Sequence, residues 1–209
     1  MFGKALLFRF ESQTDEDTMD TFLEDLSAEV SWEKATLAWF GLRYMRGEFG
    51  VVAYFNDDAG RDAHLAGAAA AKFFAAEHKL MTAPPRTFKL DILAAKAPKD
   101  LSTVTKGLVL RFKAKTGHEA EVAQFLKECQ GWAEKDPGTL AWYAHQYDES
   151  NFGVFGVFAD NAHRFLYLTG QIPREAAKRA FTIFGGVPEM HLVDVMTGSM
   201  RLEQAAATA

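Results

Sequence analysis

Large apolar residues alternate with other side chains at the start of the chain and then recur at helical spacing. In "ALLFRF" (residues 5–10), Leu6, Phe8 and Phe10 share one face, which predicts a β-strand. Thr14 or Asp15 can cap a helix after it, because apolar residues then recur every three or four positions. This apolar stripe consists of Met19, Phe22, Leu23, Leu26 and Val30.

Two aromatic and β-branched runs follow, and Gly47 in "MRGE" between them marks a hairpin turn. Asp57 or Asp58 can cap a second helical region, which breaks near Gly67 and ends before "APP". The predicted strands lie at residues 5–10, 36–44, 49–55 and 88–93. The order of elements is therefore βαββαβ.

The same pattern occurs a second time about 103 positions later. "TLAWF" at residues 36–40 returns as "TLAWY" at residues 139–143, and fourteen of the thirty-two positions from 36 to 67 are identical to those from 139 to 170. The second copy predicts a strand from Leu108, a helix over 119–132, a hairpin through "DESN", a helical region broken near Pro173 and a strand at 190–196. A fold repeats its residues in this way when it has been duplicated. We predict an N-terminal repeat (1–96), a linker (97–105), a C-terminal repeat (106–200) and a tail (201–209).

Each predicted unit forms a four-stranded antiparallel sheet with its helices on one face. Both faces of the second strand are apolar, since Leu37 and Trp39 point one way while Ala38, Phe40 and Leu42 point the other. The second face must therefore be buried as well. The sequence predicts an α+β fold in which two ferredoxin-like units pack face to face as an α+β barrel, an intrachain pseudo-dimer.

These features together resemble the antibiotic biosynthesis monooxygenase (ABM) superfamily of dimeric α+β barrels. The resemblance rests on the strand ending at Phe10, the amphipathic helix, the "TLAWF…R…GEFGVVAYFNDDAGRDAHLAG" block and "APPRTFKLDIL". It covers nearly the whole chain, once in each half, and it implies that the usual two-chain dimer is fused. The superfamily includes cofactor-independent oxygenases of polycyclic phenols, heme-degrading monooxygenases and small aldehyde- or quinone-handling proteins.

His64 is the leading candidate for a catalytic residue. It matches the histidine that the resemblance places beside the cavity, where heme-degrading members use it as the iron ligand. A neutral imidazole can also accept a proton from a phenol at neutral pH. The alternative is a helix-face histidine with a purely structural hydrogen bond.

Positions at which the two repeats differ suggest where a site survives. His64 is equivalent to Tyr167, Arg43 to Gln146, and Leu42 to His145. We expect the functional pocket in the N-terminal repeat, with His64 and the weaker candidates Arg43 and Tyr44. His145 and Tyr167 mark a rival pocket.

Other aromatic and charged residues favour structural roles. Trp39 and its equivalent Trp142 can stack on a flat substrate but fit core packing better, because both repeats keep them. Charged residues on half-buried strands need partners. We expect the cross-strand pairs Arg9–Asp91 and Arg111–Asp194, or alternatively arginines that face a cavity and bind an anionic substrate.

Composition narrows the class of protein. The formal net charge is -5 and the 23 basic residues are scattered, so neither nucleic acid nor a membrane is an expected partner. The single cysteine, Cys129, and the lack of a signal-like apolar core near the start favour a cytoplasmic protein. The remaining histidines show no zinc spacing, so no metal is expected.

Three functions remain open. The first is an ABM-type monooxygenase that needs no cofactor and acts on a small aromatic or quinone-like substrate. The second is a heme-binding or heme-degrading monooxygenase with His64 as the ligand. The third is a non-catalytic barrel that binds a small ligand. The sequence does not decide among them, nor whether the pseudo-dimer forms a further homodimer.

Overall fold

A computed structural model describes residues 2–201 of the chain; most of the expected tail, residues 202–209, lies outside the described part. Each half contains four strands and three helices. The N-terminal half comprises β1 (Lys4–Glu11), α1 (Glu16–Val30), β2 (Ala38–Met45), β3 (Glu48–Phe55), α2 (Asp58–Leu65), α3 (Ala68–Leu80) and β4 (Arg86–Lys96). The C-terminal half comprises β5 (Lys106–Lys113), α4 (Glu119–Lys135), β6 (Ala141–Gln146), β7 (Asn151–Phe158), α5 (Asn161–Leu168), α6 (Gln171–Arg179) and β8 (Glu189–Met200).

The eight strands form one closed antiparallel barrel in the order β1-β3-β2-β8-β5-β7-β6-β4. Within each half the order is that of a ferredoxin-like sheet, β4-β1-β3-β2 and β8-β5-β7-β6. The two sheets are joined by hydrogen bonds at both seams, β2 with β8 and β4 with β6. The predicted α+β barrel is confirmed, and its closure leaves no free sheet edge.

Local sequence explains where the elements begin and turn. Gly47 has a φ of 79°, a left-handed conformation that suits glycine and makes the β2–β3 hairpin possible. Asp57 caps α2 by accepting a backbone N–H bond, as the sequence predicted. The equivalent residue, Asp160, caps α5 in the same way. Both helical regions break at a glycine, Gly67 or Gly170; Pro173 lies inside the first turn of α6, where a missing N–H costs little.

Three apolar layers hold the fold together. The barrel interior contains Phe40, Tyr54, Tyr143 and Phe155, and the Tyr54 and Tyr143 rings stack with centroids 3.8 Å apart. A second layer lies between the N-terminal sheet and α1–α3, and a third between the C-terminal sheet and α4–α6. Both faces of every strand are therefore used, as the apolar pattern of β2 predicted.

The expected arginine–aspartate pairs are wrong, and strand register is the reason. In the β1–β4 pair, Asp91 lies opposite Lys4, at the far end of the strand from Arg9. Lys4 Nζ forms an ion pair with Asp91 Oδ1 at 2.6 Å, while Arg9 Nη2 forms one with Glu48 Oε1 at 2.5 Å. The second pair fails in the same way.

Asp194 lies opposite Lys106 in the β5–β8 pair and not opposite Arg111. It binds Lys106 at 2.6 Å and Arg43, across the seam between the halves, at 3.0 Å.

None of the helices in residues 2–201 is long and apolar enough to cross a membrane.

Candidate functional site

An apolar cavity of about 310 Å³ lies in the C-terminal half, between the outer face of the sheet and the helices. Leu110 and Phe112 of β5 form its floor, Phe125 of α4 one wall, and Tyr167 of α5 and Ala176 of α6 the other side. This volume is at the lower end of the range for small-molecule sites. The cavity lies outside the barrel, in the layer that the helices cover.

The equivalent space in the N-terminal half is filled by Phe73, which is 3% exposed. Its ring lies 5.0 Å from that of Phe8, 5.5 Å from that of Phe10 and 6.3 Å from that of Phe22. The residue equivalent to Phe73 is Ala176. This cavity therefore lies in the half opposite to the one that the sequence favoured, because one aromatic side chain is present in the N-terminal half and absent from the C-terminal half.

Helix length widens the difference between the halves. α3 ends at Leu80, whose equivalent in the C-terminal half is Ile183. α6 already ends at Arg179, so it is four residues shorter at this end. The segment after α6 contributes Phe184 and Gly186 to the cavity lining. No motif in the sequence marks Phe184 or Gly186, although the change from Phe73 to Ala176 between the halves indicates the empty space.

Among residues 2–201, Tyr167 carries the only hydroxyl or nitrogen-bearing side chain that lines the cavity. It is 4% exposed, and its hydroxyl accepts a hydrogen bond of 3.0 Å from Trp142 Nε1 on β6. Burial raises the pKa of Tyr167 well above its usual range, so the phenol stays protonated at neutral pH. Because the indole donates to the oxygen, the phenol proton remains available for a second hydrogen bond.

His64, the equivalent of Tyr167, is bound differently. Its Nδ1 lies 2.5 Å from Glu33 Oε2, and Thr36 donates to the same carboxylate oxygen at 2.5 Å. The imidazole is 6% exposed and packs against Phe55. These contacts tie α2 to the segment before β2, and His64 does not line the cavity.

The other sequence candidates lie in separate places. Arg43 binds Glu16 at 2.9 Å as well as Asp194, which is a structural role between α1, β2 and β8. Trp39 is buried in the layer beneath the N-terminal helices. Tyr44 and His145 lie inside the barrel. Of the candidates, only Tyr167 reaches the cavity.

Comparisons with known proteins bear on the fold. No protein-family model matches the sequence, and no curated protein matches it at a significant level. Among solved structures, the chain resembles a proposed monooxygenase from Fusobacterium nucleatum, with a TM-score of 0.84, 16% identity and coverage of 96% of this chain and 95% of that chain. It also resembles a proposed monooxygenase from Lactobacillus acidophilus, with a TM-score of 0.81, 12% identity and coverage of 95% and 96%.

A third structure names the wider group. It is an uncharacterised ferredoxin-fold protein from Listeria monocytogenes related to antibiotic biosynthesis monooxygenases, with a TM-score of 0.54, 8% identity and coverage of 92% of this chain and 95% of that chain. Identities this low establish shape and not activity. The closed eight-stranded barrel, the outer helices and these neighbours together show that the chain has a ferredoxin-like α+β barrel fold, which it shares with these structures.

Proposed function

We propose that the chain is a cofactor-independent monooxygenase that binds a small, electron-rich aromatic or quinone-like molecule in the cavity of its C-terminal half. The observation that carries this proposal is the apolar cavity with one oriented hydroxyl, that of Tyr167. Such a site surrounds a bound ring with apolar side chains and offers one hydrogen-bond donor to an oxygen of the substrate. The monooxygenase-like fold is consistent with it.

The chemistry that suits the site uses the substrate as its own source of electrons. A ring-activated methylene gives its proton to water as the substrate ionises, and the bound anion reacts with dioxygen to form a C–O bond. The second oxygen atom then leaves as water with the remaining hydrogen of that carbon and one proton returned from solvent. Tyr167 stays protonated and donates to the substrate oxygen on which negative charge develops. The apolar walls keep the anion away from bulk water.

The residues do not fit heme with His64 as axial ligand. The ring of His64 is buried, its Nδ1 is bonded to Glu33, and the space beside the N-terminal sheet is filled by Phe73. An iron bound to His64 would not lie in the cavity. No step of the proposal uses heme.

The second candidate is a binding barrel without catalysis. One observation favours it: the side chains that line the cavity include no group that is a base at neutral pH. Under this alternative Tyr167 and Trp142 orient a bound molecule that leaves unchanged.

Anthrone, whose methylene lies between two aromatic rings, is a suitable probe. Wild-type protein in air should accelerate dioxygen uptake and anthraquinone formation above the rate in buffer. Ala176→Phe should abolish the acceleration by filling the cavity, and Tyr167→Phe should lower the rate by about a hundredfold through loss of the donor. His64→Gln should leave the rate unchanged.

The outcomes separate the two candidates. Anthrone binding that Ala176→Phe removes, without any dioxygen uptake, supports the binding barrel. Turnover that survives Ala176→Phe and falls in His64→Gln refutes the assignment of the site to the C-terminal half.

A further inference from the structure

One end of the barrel carries an inward-facing layer of polar and aromatic side chains. Arg9 and Arg111 each lie two positions beyond a residue of the interior cluster, Leu7 and Val109, so they point to the same side of their strands. β1 and β5 run in the same direction, which places both arginines at one end. We call this layer the barrel mouth; it comprises Arg9, Tyr44, Glu48, Phe88, Arg111, Tyr147, Glu189 and His191.

Both halves build the same arginine–tyrosine contact in the barrel mouth. Arg9 Cζ lies 4.3 Å from the ring centroid of Tyr44, and Arg111 Cζ lies 5.0 Å from that of Tyr147. A glycine makes room for each tyrosine ring, because a Cβ at Gly50 or Gly153 would lie 2.9 Å from Cε2 of the ring. The tyrosines are thus held flat in positions where arginines can stack on them.

The two arginines differ in their acidic partners. Arg9 binds Glu48 at 2.5 Å and Glu189 at 3.3 Å. Glu189 is the strand partner of Arg111, yet its carboxylate binds Arg9 on the other side of the barrel mouth. Both carboxylates therefore neutralise Arg9.

The side chain of Arg111 makes no hydrogen bond or ion pair within residues 2–201; it contacts the rings of Phe88, at 5.6 Å, and Tyr147. Asn151 stands where the first half has Glu48, and its amide is bound to Asp148. The Arg111 side chain is half-buried, and within residues 2–201 none of its nitrogens is a fully buried atom without a partner, so a ligand that enters from solvent can reach its N–H donors. The guanidinium of Arg111 therefore packs on two aromatic rings but has no acidic partner within residues 2–201.

Further donors in the barrel mouth lack acceptors. The Tyr44 hydroxyl and the Arg9 Nε are buried and have no partner in the described chain. Burial raises the pKa of Tyr147 to about 12, so this phenol also stays protonated at neutral pH. The buried polar atoms of the barrel mouth that have no partner in the described chain, the Tyr44 hydroxyl and Arg9 Nε, can therefore both donate a hydrogen bond.

We propose that the barrel mouth binds a small aromatic carboxylate, with its carboxylate on the N–H fork of Arg111 and its ring against Phe88 and Tyr147. A planar guanidinium matches a carboxylate through two parallel hydrogen bonds. The nearby carboxylates of Glu48 and Glu189 disfavour a dianion such as phosphate. This site is inside the barrel and independent of the outer cavity, so the proposal stands or falls separately from the proposed function.

Calorimetric titration of the full chain with benzoate tests the proposal, at fixed ionic strength and pH 7. One benzoate should bind per chain, and uncharged benzamide should bind at least tenfold more weakly. Arg111→Gln should weaken benzoate binding at least tenfold, with a thermal melt to verify folding. Arg46→Gln is the matched control: it removes the same charge from an exposed arginine in the β2–β3 turn at the same end of the barrel, and the affinity should stay within threefold.

Several results would overturn the proposal. These are no benzoate binding to the wild-type chain, equal binding of benzamide, equal binding to Arg111→Gln, or tighter binding of inorganic phosphate. Loss of binding in Ala176→Phe would place the ligand in the outer cavity instead. If Arg111→Gln does not fold, Arg111→Lys keeps the charge but not the fork, and unchanged affinity in that variant would also count against the site.

Discussion

Exchanging one side chain between the halves should move the empty space from one half of the molecule to the other. Phe73→Ala removes a ring that is 3% exposed and in contact with the rings of Phe8, Phe10 and Phe22. Truncating a buried phenylalanine costs about 3–5 kcal/mol, and aromatic contacts add to the loss. We therefore expect unfolding to become easier by about 4 kcal/mol, which lowers the Tm of a chain of this length by about 12 °C.

Ala176→Phe is the opposite change and should cost little. The cavity of about 310 Å³ can accept a ring in place of a methyl group, so we expect a change in unfolding free energy within about 1 kcal/mol of zero. Urea unfolding of the two single variants and of the double variant, followed by tryptophan fluorescence, gives the three free energies. The two sites lie in different layers, so their effects should add.

Two results would refute this reasoning. If Ala176→Phe destabilises the chain by 3 kcal/mol or more, the space beside α6 is not open, and overpacking dominates. If Phe73→Ala costs less than about 1 kcal/mol, the N-terminal layer is not held by that ring. In either case the difference between the halves would need another explanation.

Two further predictions concern buried polar groups. In a double-mutant cycle with Tyr167→Phe, Trp142→Phe should reveal a coupling free energy of about 1 kcal/mol, because the indole donates to the hydroxyl; additive effects would contradict the bond. Burial lowers the pKa of His145 to about 3, so the stability that depends on its neutral form is complete above about pH 6.5 and is lost as the pH falls towards 3. Between pH 6.5 and 4.5, the unfolding free energy of wild type should fall more steeply than that of His145→Leu, by up to about 1.4 kcal/mol per pH unit in urea titrations; parallel profiles would count against a neutral buried imidazole.

The architecture could be predicted from the sequence because each level of the pattern agreed with the next. The turn at Gly47 predicted a hairpin, and the apolar stripe of α1 predicted a helix that covers one face of the sheet. The two apolar faces of β2 required the other face to be covered as well. A closed barrel of two ferredoxin-like sheets with helices outside satisfies that requirement. The burial of both faces predicted that the two sheets cover each other, but no local pattern marked β8 as the hydrogen-bonded partner of β2.

The candidate site was harder to predict. Motif similarity indicated His64, whereas the cavity exists because a large side chain is missing at Ala176. His64 fits a motif, but the neighbouring Glu33 and Thr36 occupy its ring nitrogen. Ala176 carries no motif and is informative only beside Phe73. Register misled in a similar way: Arg9 and Asp91 lie on adjacent strands but at opposite ends, which side-chain chemistry alone does not reveal.

The seams of the barrel also govern the order in which the molecule can form. β2 pairs with β8, so Ala38 lies opposite Met200 and the barrel cannot close until the last strand has been synthesised. Contacts so distant along the chain slow folding, and an incomplete chain exposes both the edge of β2 and the aromatic interior beside Tyr54. Truncation before β8 should therefore yield aggregation-prone material even though it removes no residue of the N-terminal half.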